Sequence, residues 1–490
     1  MLDYQKDIII NKKHKNTLTY EDVLKSSPMD IIGCTDLLSL SRTISSYFET
    51  NLEKTKCGLK LVLKLPDNEK TVLTLNHHIA FGIKLKHFSG SSKCSKIKRV
   101  IDDKAVYKKL KDTFDIYKEV YFFSKSNNSY VTDFALKKFE QKVLQTEAFL
   151  ENSVFISNTG QATSLKSHTT SEEDKAREFH GTCKQLEELA TKTNKHWLSA
   201  TITCPPIFHI NPVGRTRCWN GVLTPKHANE FQNKIWENTL RQLTKKQIFP
   251  FGHWVKEVNK SSAIHRHVLL YCSSSEVSEI KRWLSHYTES AYKQMNSNFV
   301  ENRAIRYNMG HNSEIDEWGI KRTTGISSYL NKIILFCLNI KDHYSSINKE
   351  KIDANTVSKT NAHAARYKYR RYGVIGMKKS LTLWRQLKYF AKNTEDMCIN
   401  SPLGKLTEMA KNNRFSEFMR SSYRKDLSLI YSPKGEDWGN NKTKYGENIK
   451  KIFGFSFKRI NYYTKERHLS LYEQLKNLLK INTFFMINSL

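Results

Sequence analysis

The sequence predicts an α+β fold, an antiparallel sheet covered by helices, with further regions before and after it in the chain. Three observations carry this. Between residues 178 and 340, amphipathic helical stretches alternate with strand-like stretches that come in pairs, the pattern of a sheet covered on one side. The two strongest strand patterns are separated by only five polar residues and so should pair as a hairpin. At 490 residues, with 39% hydrophobic and 11% aromatic residues, the chain is folded rather than disordered and too long for one ordinary core.

Taken in order, residues 1–175 form an N-terminal region of unassigned role. Leu59–Leu65 and Thr71–Leu75 read as strands, Val106–Tyr117 and Tyr130–Leu150 as helices, and polar breaks fall at 89–95 and 167–173. The central domain is expected over 176–345. There Phe179, Cys183, Leu186 and Leu189 recur at helical spacing and lead into a strand at Trp197. A Pro205-Pro206 loop follows, then a helix over His227–Leu243 with Ala228, Phe231, Ile235, Leu240 and Leu243 on one face. Phe251–Val258 is the first hairpin strand, Asn259–Ala263 the loop, and the run from Ile264 the second strand. A helix over Glu276–Asn296, a strand over Asn302–Tyr307 and a helix opening after Gly325 complete the domain. Residues 346–490 form a basic C-terminal region, with a polar connection at 348–359 and a lysine-rich tail from Lys442.

The formal net charge is +32. That excess suits a polyanionic partner, nucleic acid above all; the alternative is compositional, since the chain is rich in Lys, Asn and Ile. Nine scattered cysteines with no C-x-x-C pair argue against a structural zinc site and a secreted disulfide framework. Cys204, Cys272 and Cys337 sit in apolar runs and read as buried small hydrophobes. The first residues include acidic ones and read as no signal peptide, and the longest apolar run, Ile333–Leu338, is far short of a membrane helix. A soluble, cytoplasmic protein is expected.

The chemistry gathers in the hairpin. In Ile264-His265-Arg266-His267-Val268 the two histidines are two apart on a strand, so both imidazoles point to one face. Hairpin symmetry sets Glu257 opposite His265 on that face. Glu257, His265 and His267 are therefore candidate ligands of a divalent metal that also grips a phosphate; His253, four residues before Glu257, is an alternative ligand. A ligating imidazole must be neutral, so binding should weaken as pH falls through about 6.5. In the last helix of the domain Tyr329 and Lys332 are three apart and share a face, although a tyrosine there is equally a core residue and the lysine a solvated one.

A histidine pair on a strand followed by a helix bearing Tyr and Lys resembles the HUH endonucleases, and the flanking motifs resemble the phage gene A replication initiators within them. Those motifs are Trp197-Leu198-Ser199-Ala200-Thr201-Ile202-Thr203-Cys204-Pro205, Phe208-His209, Asn211-Pro212, Trp219-Asn220-Gly221, Thr224-Pro225 and Trp236. The spacing from Glu257 to His265 fits, as do Arg370-Arg371-Tyr372-Gly373-Val374 and Leu383-Trp384-Arg385-Gln386-Leu387. The resemblance covers residues 177–390 and implies the split, ferredoxin-like HUH palm. It also implies nicking of single-stranded DNA at a phage or prophage origin, a 5′-phosphotyrosine link through Tyr329, and a free 3′-hydroxyl for rolling-circle replication. Mg²⁺ or Mn²⁺ would be the cofactor, Lys332 would assist, and a host helicase and polymerase in the bacterial cytoplasm would be partners. A plasmid relaxase or transposase-like nickase, or a catalytically silent DNA-binding relative, are the alternatives.

For DNA contact the candidates are His209, otherwise a plain loop histidine, and Arg366, Arg370 and Arg371. The arginines interleave with Tyr367, Tyr369 and Tyr372, a mixture that suits phosphates and bases; the alternative is a solvated helix face with the tyrosines packed beneath. Two departures from the family pattern stand out. Arg266 occupies a normally hydrophobic position between the histidines and points to the opposite face of the sheet, so that face must be less dry than usual or offer it a partner. Ile333 stands where the phage initiators usually carry a second tyrosine, which leaves their alternating two-tyrosine mechanism without its second nucleophile.

Overall fold

The computed structural model describes Val23, residues 26–311 apart from breaks of one to five residues, then 354–393, 402–431, 452–457 and 460–463. The chain divides into two compact units. One comprises Met1–Asn127, Arg217–Thr224 and Lys434–Ile449; the other Asn128–Thr216, Pro225–Pro433 and Lys450–Leu490. In the first, helices Leu37–Thr50 and Asp103–Lys125 close over a core that includes Ile44, Phe48, Ile79, Phe81 and Leu110. The longer of the two starts ahead of the expected residue 106 because Asp102 caps it, accepting a hydrogen bond from the Ala105 amide, and it runs on past the expected 117 to Lys125. Strands Leu52–Thr55, Gly58–Lys64 and Lys70–Val72 form a small antiparallel sheet.

The second unit holds the central sheet. Its elements run α1 (Asp133–Asn152), α2 (Glu172–Lys192), β1 (His196–Ile202), α3 (Pro225–Lys245), β2 (Phe251–Val258), β3 (Ile264–Cys272), α4 (Ser274–Gln294), β4 (Ile305–His311), α5 (Ala354–Arg366), β5 (Tyr372–Ile375) and α6 (Lys378–Asn393). The strand order is β4-β1-β3-β2-β5, every pair antiparallel. From β1 to β4 this is the split β-α-β arrangement, with β5 added at one edge.

The expected α+β character holds, but helices pack on both faces of the sheet rather than on one. On the first face Phe179, Cys183 and Leu186 of α2 and Trp384 and Leu387 of α6 bury against Val255, Leu269 and Tyr271. On the second, Gln232 of α3 donates to the carbonyls of Ile202 and Ile264, and Tyr292 of α4 donates to that of Thr203. Both faces of β3 are therefore dry, which explains why it reads as a nearly continuous apolar run after His267. Helix α4 starts where Glu276 reaches back to the Ser273 amide at 2.7 Å. The strand expected at 302 begins instead at Ile305, after a single helical turn Glu301–Ala304.

Two boundaries fall differently from the sequence division. α1 packs with the second unit although it precedes residue 175, and β5 supplies a sheet strand although it follows residue 345. Cys204 and Cys272 are buried thiols, while Cys337 lies outside the described residues. Among the described residues no helix is long and apolar enough to cross a membrane.

Candidate functional site

The hairpin forms in the register its symmetry predicts: His265 pairs with Glu257 and His267 with Val255, and β1 lies on the other side with Thr201 beside His267. All four polar side chains share one face of the sheet, at the end away from the α2 and α6 packing. His267 lies between two partners, its Nε2 2.8 Å from Glu257 Oε2 and its Nδ1 3.1 Å from Thr201 Oγ1. A carboxylate only accepts, so Nε2 carries the proton of that bond. Burial works against the Glu257 charge, but the His267 hydrogen bond and the neighbouring imidazoles outweigh it and hold its pKa below the usual carboxylate value.

His265 faces the loop instead, with Nε2 3.2 Å from the Asn259 amide nitrogen. Burial pushes its pKa down to about 4; Glu257 opposes this, while His267, His209 and Arg306 add to it. That moves the protonation of this imidazole well below the pH 6.5 expected from an unperturbed histidine. Among the described residues no group of three His, Cys, Asp or Glu side chains is arranged as a metal site.

The remaining candidates fall in different places. His209 caps the short turn after β1 and meets Ser261 Oγ of the hairpin loop at 2.8 Å, beside His265. His253 is not at the site. It is fully buried between strands, edge-on to Phe179 at 6.1 Å, and four residues along β2 from Glu257. Neither of its nitrogens has a hydrogen-bond partner among the described residues, and burial pushes its pKa to about 4. Arg366 and Arg371 are half-exposed and Arg370 exposed, but Tyr367 and Tyr369 are buried, so their rings are core and not free to stack on bases. Tyr372 packs at 4.4 Å on Phe179. Tyr329, Lys332 and Ile333 lie outside the described residues.

Arg266 does find partners on the opposite face. Its guanidinium donates to the Gln232 carbonyl at 3.2 Å and Asn233 Oδ1 at 2.8 Å, and lies 4.8 Å from the centre of the Trp254 ring. Lys256, its neighbour across the ladder, donates to Asn233 at 2.9 Å and to Asn229. Burial, with Arg266 beside it, lowers the Lys256 pKa to about 6. An arginine guanidinium and a lysine amine are thus held dry by neutral amides and an indole face.

Sequence reading missed four residues that border the face: Thr201, Asn259, Tyr130 and Arg306. Thr201 and Arg306 follow from sheet order, which places the exposed Arg306 on β4 next to Thr201 and across from His267. Tyr130 has an unusual positive φ of 70°, and its amide donates to the Lys260 carbonyl at 3.1 Å. Burial first, and the Glu257 charge second, raise its phenol pKa.

A split β-α-β sheet with a polar, histidine-bearing face at one end, in a chain of net charge +32, belongs among DNA replication proteins of phages. The family is the bacteriophage replication gene A protein (GPA) family: its model matches residues 80–334, just over half of the chain, and the chain belongs to it. Over 97 residues the chain is 32% identical to the replication protein of Haemophilus phage HP1 (strain HP1c1). That stretch is 20% of this chain and only 12% of the relative's length. No solved structure matches the chain.

Proposed function

We propose that this protein is a replication initiator that nicks one DNA strand at a phage or prophage origin, with the β-sheet acting as an HUH-type palm. The observation that carries the reading is the shared face of Glu257, His265 and His267 on neighbouring strands, in a member of the gene A family. The donors fit a divalent cation: a carboxylate kept charged and an imidazole kept neutral by burial. When bound, Mg²⁺ or Mn²⁺ would polarise a non-bridging phosphate oxygen. Glu257, His265 and His267 would hold it, with Thr201 orienting the His267 ring from behind.

The Tyr329 phenol is the nucleophile in this reading. Its oxygen bonds to phosphorus, its proton leaves, and the 3′-oxygen departs and takes up a proton. The bond energy stays in the phosphotyrosine, so a later 3′-hydroxyl can reseal the strand. Lys332 neutralises phosphate charge, and Arg306, Arg366, Arg370 and Arg371, with His209 at the loop, hold the strand. The host supplies helicase and polymerase in its cytoplasm.

One observation favours a second reading, a DNA-binding relative that does not nick: His267 is bonded to Glu257 and His265 to Asn259, so the three donors do not converge. One experiment separates the two. Incubated with labelled single-stranded DNA from around its own gene and Mn²⁺, the protein is expected to give a covalent adduct on a denaturing gel. DNA binding without any adduct would establish the silent relative instead.

A further inference from the structure

The five-residue hairpin loop is clasped by three segments distant in sequence. The Tyr130 amide donates to the Lys260 carbonyl, and the Ile210 amide to that of Ser261 at 3.2 Å, with His209 on the Ser261 hydroxyl. From the far side the buried His363 lies 2.8 Å from Ser262 Oγ and 2.9 Å from the Tyr369 hydroxyl. At the centre is Asn259, whose Oδ1 accepts from the Ser261 amide at 3.2 Å, the Ser261 hydroxyl at 2.6 Å and the Ala263 amide at 3.0 Å.

Two of those three donors are backbone N–H groups, which cannot accept, so the Asn259 side chain cannot be turned over. Its NH₂ therefore faces His265 Nε2 at 3.2 Å. An amide NH₂ only donates, so Nε2 must accept, and the single ring proton sits on Nδ1. The loop geometry thus sets the tautomer of a neighbouring strand residue.

We propose that Asn259 is a positioning residue: it fixes His265 as the neutral Nδ1–H tautomer with the lone pair on Nε2, and it is the group a divalent cation displaces when it takes that lone pair. The second half rests on the metal reading above; the first does not. Three clasps hold the loop, so Asn259 is kept in place while its bond to His265 is exchanged. A cation then meets an imidazole whose proton is already on the correct nitrogen.

The test is ¹⁵N spectroscopy of the full chain labelled at histidine, with the His265 signals identified by their loss in His265→Gln. Wild type is expected to show an unprotonated Nε2 and a protonated Nδ1. Asn259→Asp keeps an oxygen for the three loop donors but replaces the amide donor with an acceptor, so the pattern should invert to Nε2–H. Asn259→Ser, which keeps one oxygen and has no amide, should give a mixture of both tautomers and serves if the Asp variant does not fold. Protonated Nε2 in the wild type, or an unchanged pattern in the folded variants, overturns the proposal. Diamagnetic Mg²⁺ is then titrated into wild type, and the Nε2 resonance is expected to shift. An Nδ1–H ring that ignores Mg²⁺ would uphold the positioning role and sink the metal reading instead.

Discussion

At the scale of single residues, the site depends on which atoms are free to act, and two predictions belong here. Tyr329→Phe removes one oxygen and little packing volume, so the variant should keep its thermal midpoint while covalent adduct formation disappears. A persistent adduct in the Phe variant would mean that another residue attacks; Tyr130, beside the Glu257 charge, is the first to examine. Replacing His265 and His267 together with alanine should abolish the heat of Mn²⁺ binding in calorimetry while leaving most DNA affinity, which comes from dispersed lysines and arginines. An unchanged isotherm would sink the ligand assignment. The pairing of Glu257 with His265 was legible from residue types and spacing alone. The bonds that Thr201 makes to His267 and Asn259 makes to His265 were not, because both are ordinary residues until the sheet and the loop bring them close.

At the scale of elements, the sheet carries acid-sensitive packing. Burial lowers the pKa of His253 on β2 to about 4 and of His363 on α5 to about 3. The unfolded chain therefore takes up protons near pH 6.5 that the folded one refuses. The stability this confers is fully present above pH 6.5, declines as pH falls, and is spent once pH passes about 4 for His253 and about 3 for His363. Chemical denaturation at a series of pH values should show that slope. His253→Phe should reduce it and raise stability by about 1 kcal/mol, because neither His253 nitrogen is hydrogen-bonded among the described residues and Phe179 offers an aromatic neighbour. A destabilised variant would mean that His253 has a partner. The same packing accounts for Gly252, where a Cβ would come within 2.0 Å of the Leu269 carbonyl and separate β2 from β3, and for Gly373, whose missing side chain lets β5 lie against the Trp254 ring.

At the scale of the whole molecule, the net charge of +32 sets how the protein meets DNA. If roughly six to ten phosphates are neutralised, duplex affinity should fall by about 10³ to 10⁵ between 50 and 200 mM salt, and less for single strands. Fluorescence anisotropy across that range measures it, and a flat dependence would mark the charge as compositional. Arg306→Gln should weaken binding alike for all sequences and reduce the salt slope by about one, as expected of a phosphate contact at the sheet edge.

By itself the sequence determined the α+β class, the hairpin register and the one-sided placement of Glu257, His265 and His267, since these follow from strand alternation and from short-range pairing. Only the tertiary structure decided that helices cover both faces, that β5 joins the sheet from beyond residue 345, and that Tyr367 and Tyr369 belong to the core. It also supplied the answer to Arg266, whose acceptors lie more than thirty residues away on α3. The reason is the same in each case. Local spacing fixes which way a side chain points, but which groups stand opposite it depends on segments brought together only when the chain has folded.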